Sequence, residues 1–266
     1  MPVFEQGGIA LHYEISGEGP PLLLIAGMMS DSASWAPLVP LLEKQFTVIR
    51  PDNRTTGRTV PIDAPASVDL FAADCAALLN HLDLGPAHVM GHSLGGMIGM
   101  RLACANKGAV KSLTLAASAP LRLERNVALF KNLLAVRQSN AAPDLWLHLL
   151  FPWLFAPSFF EIKGAAEQAA MLSLAYPFAQ STKGMAHQIA ALDGYDLEDI
   201  ADVPCPVQAL LAGDDLLMPA HLARQTLGTI PVHMIAGAGH SIHWDAPDAV
   251  ATHLQGFITL HEETLT

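Results

Sequence analysis

The chain has 266 residues, 51% of them hydrophobic and 15% charged, enough apolar material for a well-buried core and too much for a disordered chain. A formal net charge of −11 argues against a nucleic-acid partner, which needs clustered Lys and Arg. No stretch reaches the roughly 18 consecutive apolar residues of a membrane span, and the N-terminus lacks a basic segment followed by an apolar one, so no membrane contact and no secretory signal are expected. The three cysteines, Cys75, Cys104 and Cys205, are odd in number and form no CxxC. They are expected to be reduced and buried, in a cytoplasmic protein. None of the 12 histidines shows a zinc-ligand spacing such as HExxH, so a metal is not expected.

Along the chain, strands alternate with helices. Residues 9–16 alternate apolar and polar as an antiparallel strand does. Short apolar runs at 21–27, 46–52 and 87–91 read as buried strands. Residues 67–85 form a helical pattern with Gly85 as its stop, and 94–107 form another, on which Gly95, Gly99 and Ala103 leave one face nearly bare. Strands follow at 110–118, 206–213 and 232–239, and a last helix at 245–260 opens on Asp245 as its cap. Residues 121–200 break the alternation: they are rich in Leu, Phe, Trp, Ala and Met and contain no strand pattern. The expected architecture is therefore α/β, a mostly parallel sheet with helices on both faces (1–120 and 201–266) and a helical cap inserted over one sheet edge (121–200).

One stretch carries chemistry. Gly91-His92-Ser93-Leu94-Gly95 matches G-x-S-x-G between a strand and a helix, the context that motif requires. The tight turn leaves no room for side chains two residues either side of Ser93 and lifts its hydroxyl above the sheet edge. A serine is a weak nucleophile without a base. Downstream, a strand end offers Asp214 and Asp215, and the last strand is followed by His240, with His243 three residues on. The order Ser, acid, His fits this architecture, with either aspartate as the acid.

The chain resembles the α/β-hydrolase superfamily over nearly its whole length, in particular its small esterase and enol-lactonase-like members. The resemblance rests on "GHSLGG", "GDDLLMP", "GAGH" and "RPDNRTTGRT". It implies a catalytic triad of Ser93, Asp215 and His240, because the family's acid commonly stands four residues before the loop proline, here Pro219. It also implies an oxyanion hole from the backbone N–H groups of Met28 and Leu94. The family's His-Gly pair is replaced by Ala26-Gly27, and its D-x-R-G-x-G-x-S loop departs at Thr55 and Thr59; that loop, with Arg54, is read as structural.

Substrate contacts are assigned to Met29, Trp35, Trp153 and His243. The competing reading makes Trp153, with Trp146 and Phe159, plain core of the cap. Asp74 and Asp83 are read as solvated helix charges, and Arg122, Arg125, Arg137, Lys163 and Lys183 as solvated faces of the cap. The function expected is hydrolysis of a small, largely apolar ester or lactone through an acyl-enzyme on Ser93, with no cofactor, a small-molecule substrate, and no nucleic-acid or membrane partner. Three alternatives stand beside it: a carbon–carbon hydrolase of ring-cleavage products, a cofactor-free dioxygenase, and a ligand-binding receptor or scaffold. Haloalkane dehalogenase and epoxide hydrolase readings are disfavoured, since both need an Asp where Ser93 stands.

Overall fold

The computed structural model describes residues 2–263. Eight strands form one sheet: β1 (Val3–Gln6), β2 (Ile9–Ser16), β3 (Pro21–Ile25), β4 (Thr47–Pro51), β5 (Ala87–His92), β6 (Val110–Ala116), β7 (Val207–Ala212) and β8 (Val232–Ile235). Their order is β1-β2-β4-β3-β5-β6-β7-β8. The β1–β2 and β2–β4 pairs are antiparallel and every later pair is parallel.

The central strands are apolar at nearly every position because both faces are covered. Successive side chains point to opposite faces. Leu23 and Ile25 of β3, Leu113 and Leu115 of β6 and Leu211 of β7 therefore join one core, and Leu22, Leu24 and Leu210 join the other. Helices α2 (Val68–Leu82) and α3 (Leu94–Ala105) supply Phe71, Leu78, Ile98 and Leu102 to the first core. On the second lie α1 (Val39–Leu42), α10 (Ile242–Asp245) and α11 (Pro247–Glu263), with Leu42, Ile242, Val250, Leu254 and Ile258.

Between β6 and β7 the chain forms α4 (Glu124–Arg137), α5 (Leu145–Leu154), α6 (Pro157–Glu161), α7 (Ala165–Ala175) and α8 (Thr182–Asp193), and no strand. Helix α9 (Ala220–Thr226) connects β7 to β8. Among the described residues no helix is long and apolar enough to cross a membrane.

Several sequence expectations need correction. β1 was not anticipated; it is a four-residue edge strand with alternating exposure and no apolar run. α2 is capped by Ser67, whose hydroxyl accepts from Leu70 N–H at 3.1 Å, and it ends at Asp83 in the left-handed conformation rather than at Gly85. Cys75 is buried as expected, but Cys104 and Cys205 are only partly so; all three are free thiols. Asp74 is buried, not solvated, and faces Arg54 bidentately, with Nε–Oδ2 at 2.5 Å and Nη2–Oδ1 at 2.9 Å. Burial is the main force raising its pKa, opposed by the guanidinium.

Candidate active site

The turn between β5 and α3 holds Ser93 at φ 53°, ψ −119°, a conformation unfavourable for a residue with a Cβ and one that persists only where its surroundings impose it. They do so here. Ser93 N–H donates to Ala116 O at 2.9 Å on β6, and Ser93 O accepts from Ser118 Oγ at 2.7 Å and Gly96 N–H at 2.9 Å. A Cβ at Gly91 would collide with the Gly95 carbonyl, and one at Gly95 with Ile25 O at the end of β3. The two motif glycines thus have different tasks: one closes the turn on itself, the other lets α3 start directly against the sheet. Ser93 keeps part of its surface open. Leu94 N–H is the first helical N–H of α3, with no intrahelical acceptor, at the positive end of the helix dipole.

The turn after β7 separates the two candidate acids. Asp214 is exposed, and its backbone N–H is held by Ala238 O at 2.9 Å. Asp215 is buried at 4% exposure, and its carboxylate is fully engaged. Oδ1 accepts from Leu217 N–H and Met218 N–H, both at 2.8 Å, and Oδ2 lies 2.8 Å from Nδ1 of His240. The Asp215 side therefore requires a proton on His240 Nδ1, which leaves Nε2 as the ring's lone-pair atom.

His240 sits in a loop pinned from two sides. Asp245 was expected to cap the last helix. Instead its carboxylate turns back to accept from Gly239 N–H at 2.7 Å and from Ala156 N–H at 3.3 Å, between α5 and α6. Ser241 N–H donates to Leu154 O at 2.8 Å. Gly239 has to be glycine, since a Cβ there would strike the backbone of residues 154–156.

Behind the site three imidazoles and an indole pack together. His92 Nε2 donates to His240 O at 2.9 Å, which brings the elbow and the His240 loop into direct contact. The His92 ring lies 4.9 Å from that of His240 and 4.5 Å from that of His243, and the His243 ring 4.7 Å from that of Trp35. Burial, aided by the neighbouring His240, pushes the His92 pKa down to about 3. His243 is held well below its ordinary value by burial and then by His92 and His240. Both are neutral spacers. Trp35 belongs to the second core, contrary to the expected substrate contact, and His243, 3% exposed like His240, packs between it and the His92 ring. Met29 and Trp153 remain partly exposed, and Trp153 also carries the Arg125 guanidinium over its ring at 6.0 Å.

The loop after β3 meets the elbow at Gly27, where a Cβ would touch both Ser93 Cβ and the His92 ring. Asn53 Nδ2 holds Ala26 O at 3.0 Å. In place of the family's histidine brace, the loop is tied from above: Met29, at φ 59°, donates its N–H to Oε1 of Gln188 on α8 at 2.9 Å. Gln188 was missed by sequence reasoning. Its signal was a lone amide on the otherwise apolar face Met185–Ile189–Leu192 of α8. The D-x-R loop is structural as expected: Asp52 accepts from Ser32 N–H at 2.9 Å and Arg58 N–H at 2.8 Å. The insertion's arginines are all partnered, Arg122 and Arg137 half-buried and Arg125 exposed as expected. Arg122 donates to Asp193 O at 2.6 Å, Arg125 to Leu216 O, and Arg137 to Gln180 O at 2.7 Å while lying over Trp146. Lys163 and Lys183 are exposed. A cleft of about 630 Å³ runs between the α5–α6 segment and the acid turn, lined by Phe155, Phe160, Asp214, Asp215 and Leu216 among others.

A mostly parallel sheet with a strained serine at one strand end and an Asp–His pair at the ends of later strands is the arrangement of an α/β-hydrolase. Residues 22–253 match the alpha/beta hydrolase family, and the chain belongs to it. Among its relatives is RutD of Azorhizobium caulinodans, provisionally named a carbamate hydrolase, 32% identical over 265 residues that cover 97% of this chain and 98% of that one. Similar solved structures include the enol-lactonase from Burkholderia xenovorans LB400 (TM-score 0.84, 22% identity, 97% and 100% of the two chains). A thermophilic esterase from Thermogutta terrifontis is another (TM-score 0.81, 24% identity, 95% and 94%). At these identities the two structures speak for the fold.

Proposed function

We propose that this hydrolase cleaves a small, largely apolar carboxylic ester or lactone through an acyl-enzyme on Ser93. The observation that carries the reading is the buried Asp215–His240 pair at 2.8 Å, joined through His92 to the turn that holds Ser93 at positive φ. Substrate enters between the sheet edge and residues 121–200, which act as a cap. His240 Nε2 takes the Ser93 proton as Oγ bonds to the substrate carbonyl carbon. The oxygen that gains the negative charge accepts from Met28 N–H and Leu94 N–H. Collapse breaks the carbon–oxygen bond to the leaving alkoxide, which departs with the proton held by His240. Water then gives its proton to His240, attacks the acyl carbon and releases the acid, and Ser93 regains its hydrogen.

The reading is tested by release of nitrophenol from short acyl esters. Wild type should turn over and Ser93→Ala should fall to the buffer rate; equal rates in the two proteins would sink the acyl-enzyme mechanism. A second substrate class has one specific observation in its favour, the carbamate named for the RutD relative. A carbamate offers the same carbonyl to Ser93, and its rate relative to the matching ester, measured on one preparation, decides which is preferred.

A further inference from the structure

Gln188 has no exposed surface, and only one end of its amide is used. The end facing Met29 is fixed by chemistry: a backbone N–H donates to it at 2.9 Å, so it must be the oxygen. The opposite end is therefore the NH₂ group. That nitrogen is shielded from solvent and has no hydrogen-bond partner among the described residues. A buried donor without an acceptor is costly and calls for an explanation, most directly a ligand atom that accepts from it during function.

The position of the amide suggests which ligand atom. Met29 follows Met28, the proposed oxyanion donor, and Gly27 before them touches the elbow beside Ser93. The amide thus lies within one peptide unit of the loop that would face the reacting carbonyl. The Met29 bond removes its freedom to rotate away, so the NH₂ group is held ready before substrate arrives. The surrounding face of α8 is otherwise apolar, with Met185, Ile189 and Leu192. Those three residues belong to the first hydrophobic core, so the Gln188 amide is a lone polar group at its border with the loop that carries Met28.

We propose that Gln188 is a specificity-determining residue whose Nε2 donates to an acceptor oxygen carried by the acyl part of the substrate, beside the carbonyl that Ser93 attacks. This rests on the serine-hydrolase reading and narrows it. The favoured substrates are oxygen-bearing acyl compounds, such as alkoxy- or keto-acyl esters, rather than simple alkyl esters. Gln188 forms no covalent bond and transfers no proton; it sorts substrates, and through Met29 it also steadies the oxyanion loop.

The two effects separate kinetically. Losing the tether to Met29 disturbs the oxyanion loop and slows every ester alike. Losing the Nε2 donor slows only a substrate that carries the matching acceptor. 4-Nitrophenyl butyrate and 4-nitrophenyl methoxyacetate are a suitable pair, since an ether oxygen replaces one methylene at constant length. Their ratio of kcat/KM in each protein cancels the difference in intrinsic reactivity when proteins are compared. Going from wild type to Gln188→Met, the ratio should shift against methoxyacetate by about fivefold to tenfold, the range of one neutral hydrogen bond. Gln188→Leu, which also lacks the donor, is read in the same way and covers failure of the methionine variant to fold. An unchanged ratio overturns the proposal: both esters slowed equally leave Gln188 a loop brace, and neither slowed denies it both roles. Ser93→Ala on the same two esters keeps the readings apart. Activity that survives in that variant overturns the hydrolase mechanism itself, whereas activity lost with Ser93 and a constant ratio overturns only the role of Gln188.

Discussion

Replacing Asp215 by Asn would change the chemistry of His240 while leaving the shape of the site intact. The Asp215 Oδ1 accepts two backbone N–H groups, from Leu217 and Met218. In the Asp215→Asn variant the carbonyl oxygen has to stay there, because an NH₂ group would face two donors. The NH₂ end must then occupy the position of Oδ2, 2.8 Å from His240 Nδ1. Two donors cannot share that bond, so Nδ1 becomes the acceptor and the ring proton moves to Nε2. In the proposed mechanism that atom takes the Ser93 proton, so the base is lost without any change of packing. A tautomer locked in this way lowers kcat by about 10⁴-fold, or roughly 5.4 kcal/mol in the barrier. The assay is steady-state hydrolysis of 4-nitrophenyl butyrate, with thermal unfolding as a check that the variant folds. Asp214→Asn is the matched control: that side chain is exposed, and its kcat should stay within about threefold of wild type. The reasoning fails if Asp215→Asn keeps a tenth of wild-type kcat, or if Asp214→Asn falls as far.

Three further outcomes are expected. Gly95→Ala drives a Cβ into Ile25 O, a backbone atom that cannot swing aside, and should cost about 3 kcal/mol or more in chemical denaturation; Gly99→Ala meets only the tip of Leu113 and the Val89 methyl and should cost about 1 kcal/mol. Asp74→Ala leaves the buried Arg54 guanidinium unpaired and should cost about 3–5 kcal/mol, most of it recovered in the double variant Arg54→Met with Asp74→Leu. His92 is buried with its pKa lowered to about 3, so below the unfolded value of 6.5 the unfolded chain binds a proton that the folded one refuses; the stability it contributes is present above pH 6.5 and is lost as pH falls. His92→Gln, which can keep the donor to His240 O, should therefore flatten the loss of stability between pH 6.5 and 5 by up to about 1.4 kcal/mol per pH unit, and an unchanged slope would show that His92 accepts a proton in place.

What could be read from the sequence was whatever depends on neighbours along the chain. β5, Ser93 and α3 are contiguous, and their glycines, serine and apolar runs carry both the turn and its reason. The central strands were legible because burial on both faces makes them nearly uninterrupted apolar runs. The misreadings share a different cause. Asp74 sits on a helix where a charge ordinarily faces water, and its partner Arg54 lies 20 residues away in a loop. Asp245 stands just before a proline-led helix, where a cap is the local expectation, yet its carboxylate serves Gly239 and Ala156. Trp35, expected to touch substrate, is carried into the second core by the short 3₁₀ turn Ser32–Trp35. In each case a tertiary partner overrode a correct local preference.

The inserted helices illustrate the same point at the scale of the site. From composition they read as an apolar wall over the sheet. The contacts give them a second task, because each of the three loops that approach the elbow is held by a different part of the insertion. At the start of α4, Arg125 and Asn126 bind Leu216 O and Leu217 O, fixing the turn whose next N–H groups position Asp215. The end of α5 receives Ser241 N–H at Leu154 O, beside His240. On α8, Gln188 receives Met29 N–H at the loop that carries Met28. A change in the insertion thus reaches the reacting groups without touching substrate, through three hydrogen-bonded loop anchors. If the proposed mechanism holds, substrate selection and the geometry of Asp215, His240 and the Met28 loop are not separable, and variation among the inserted helices should move kcat together with KM.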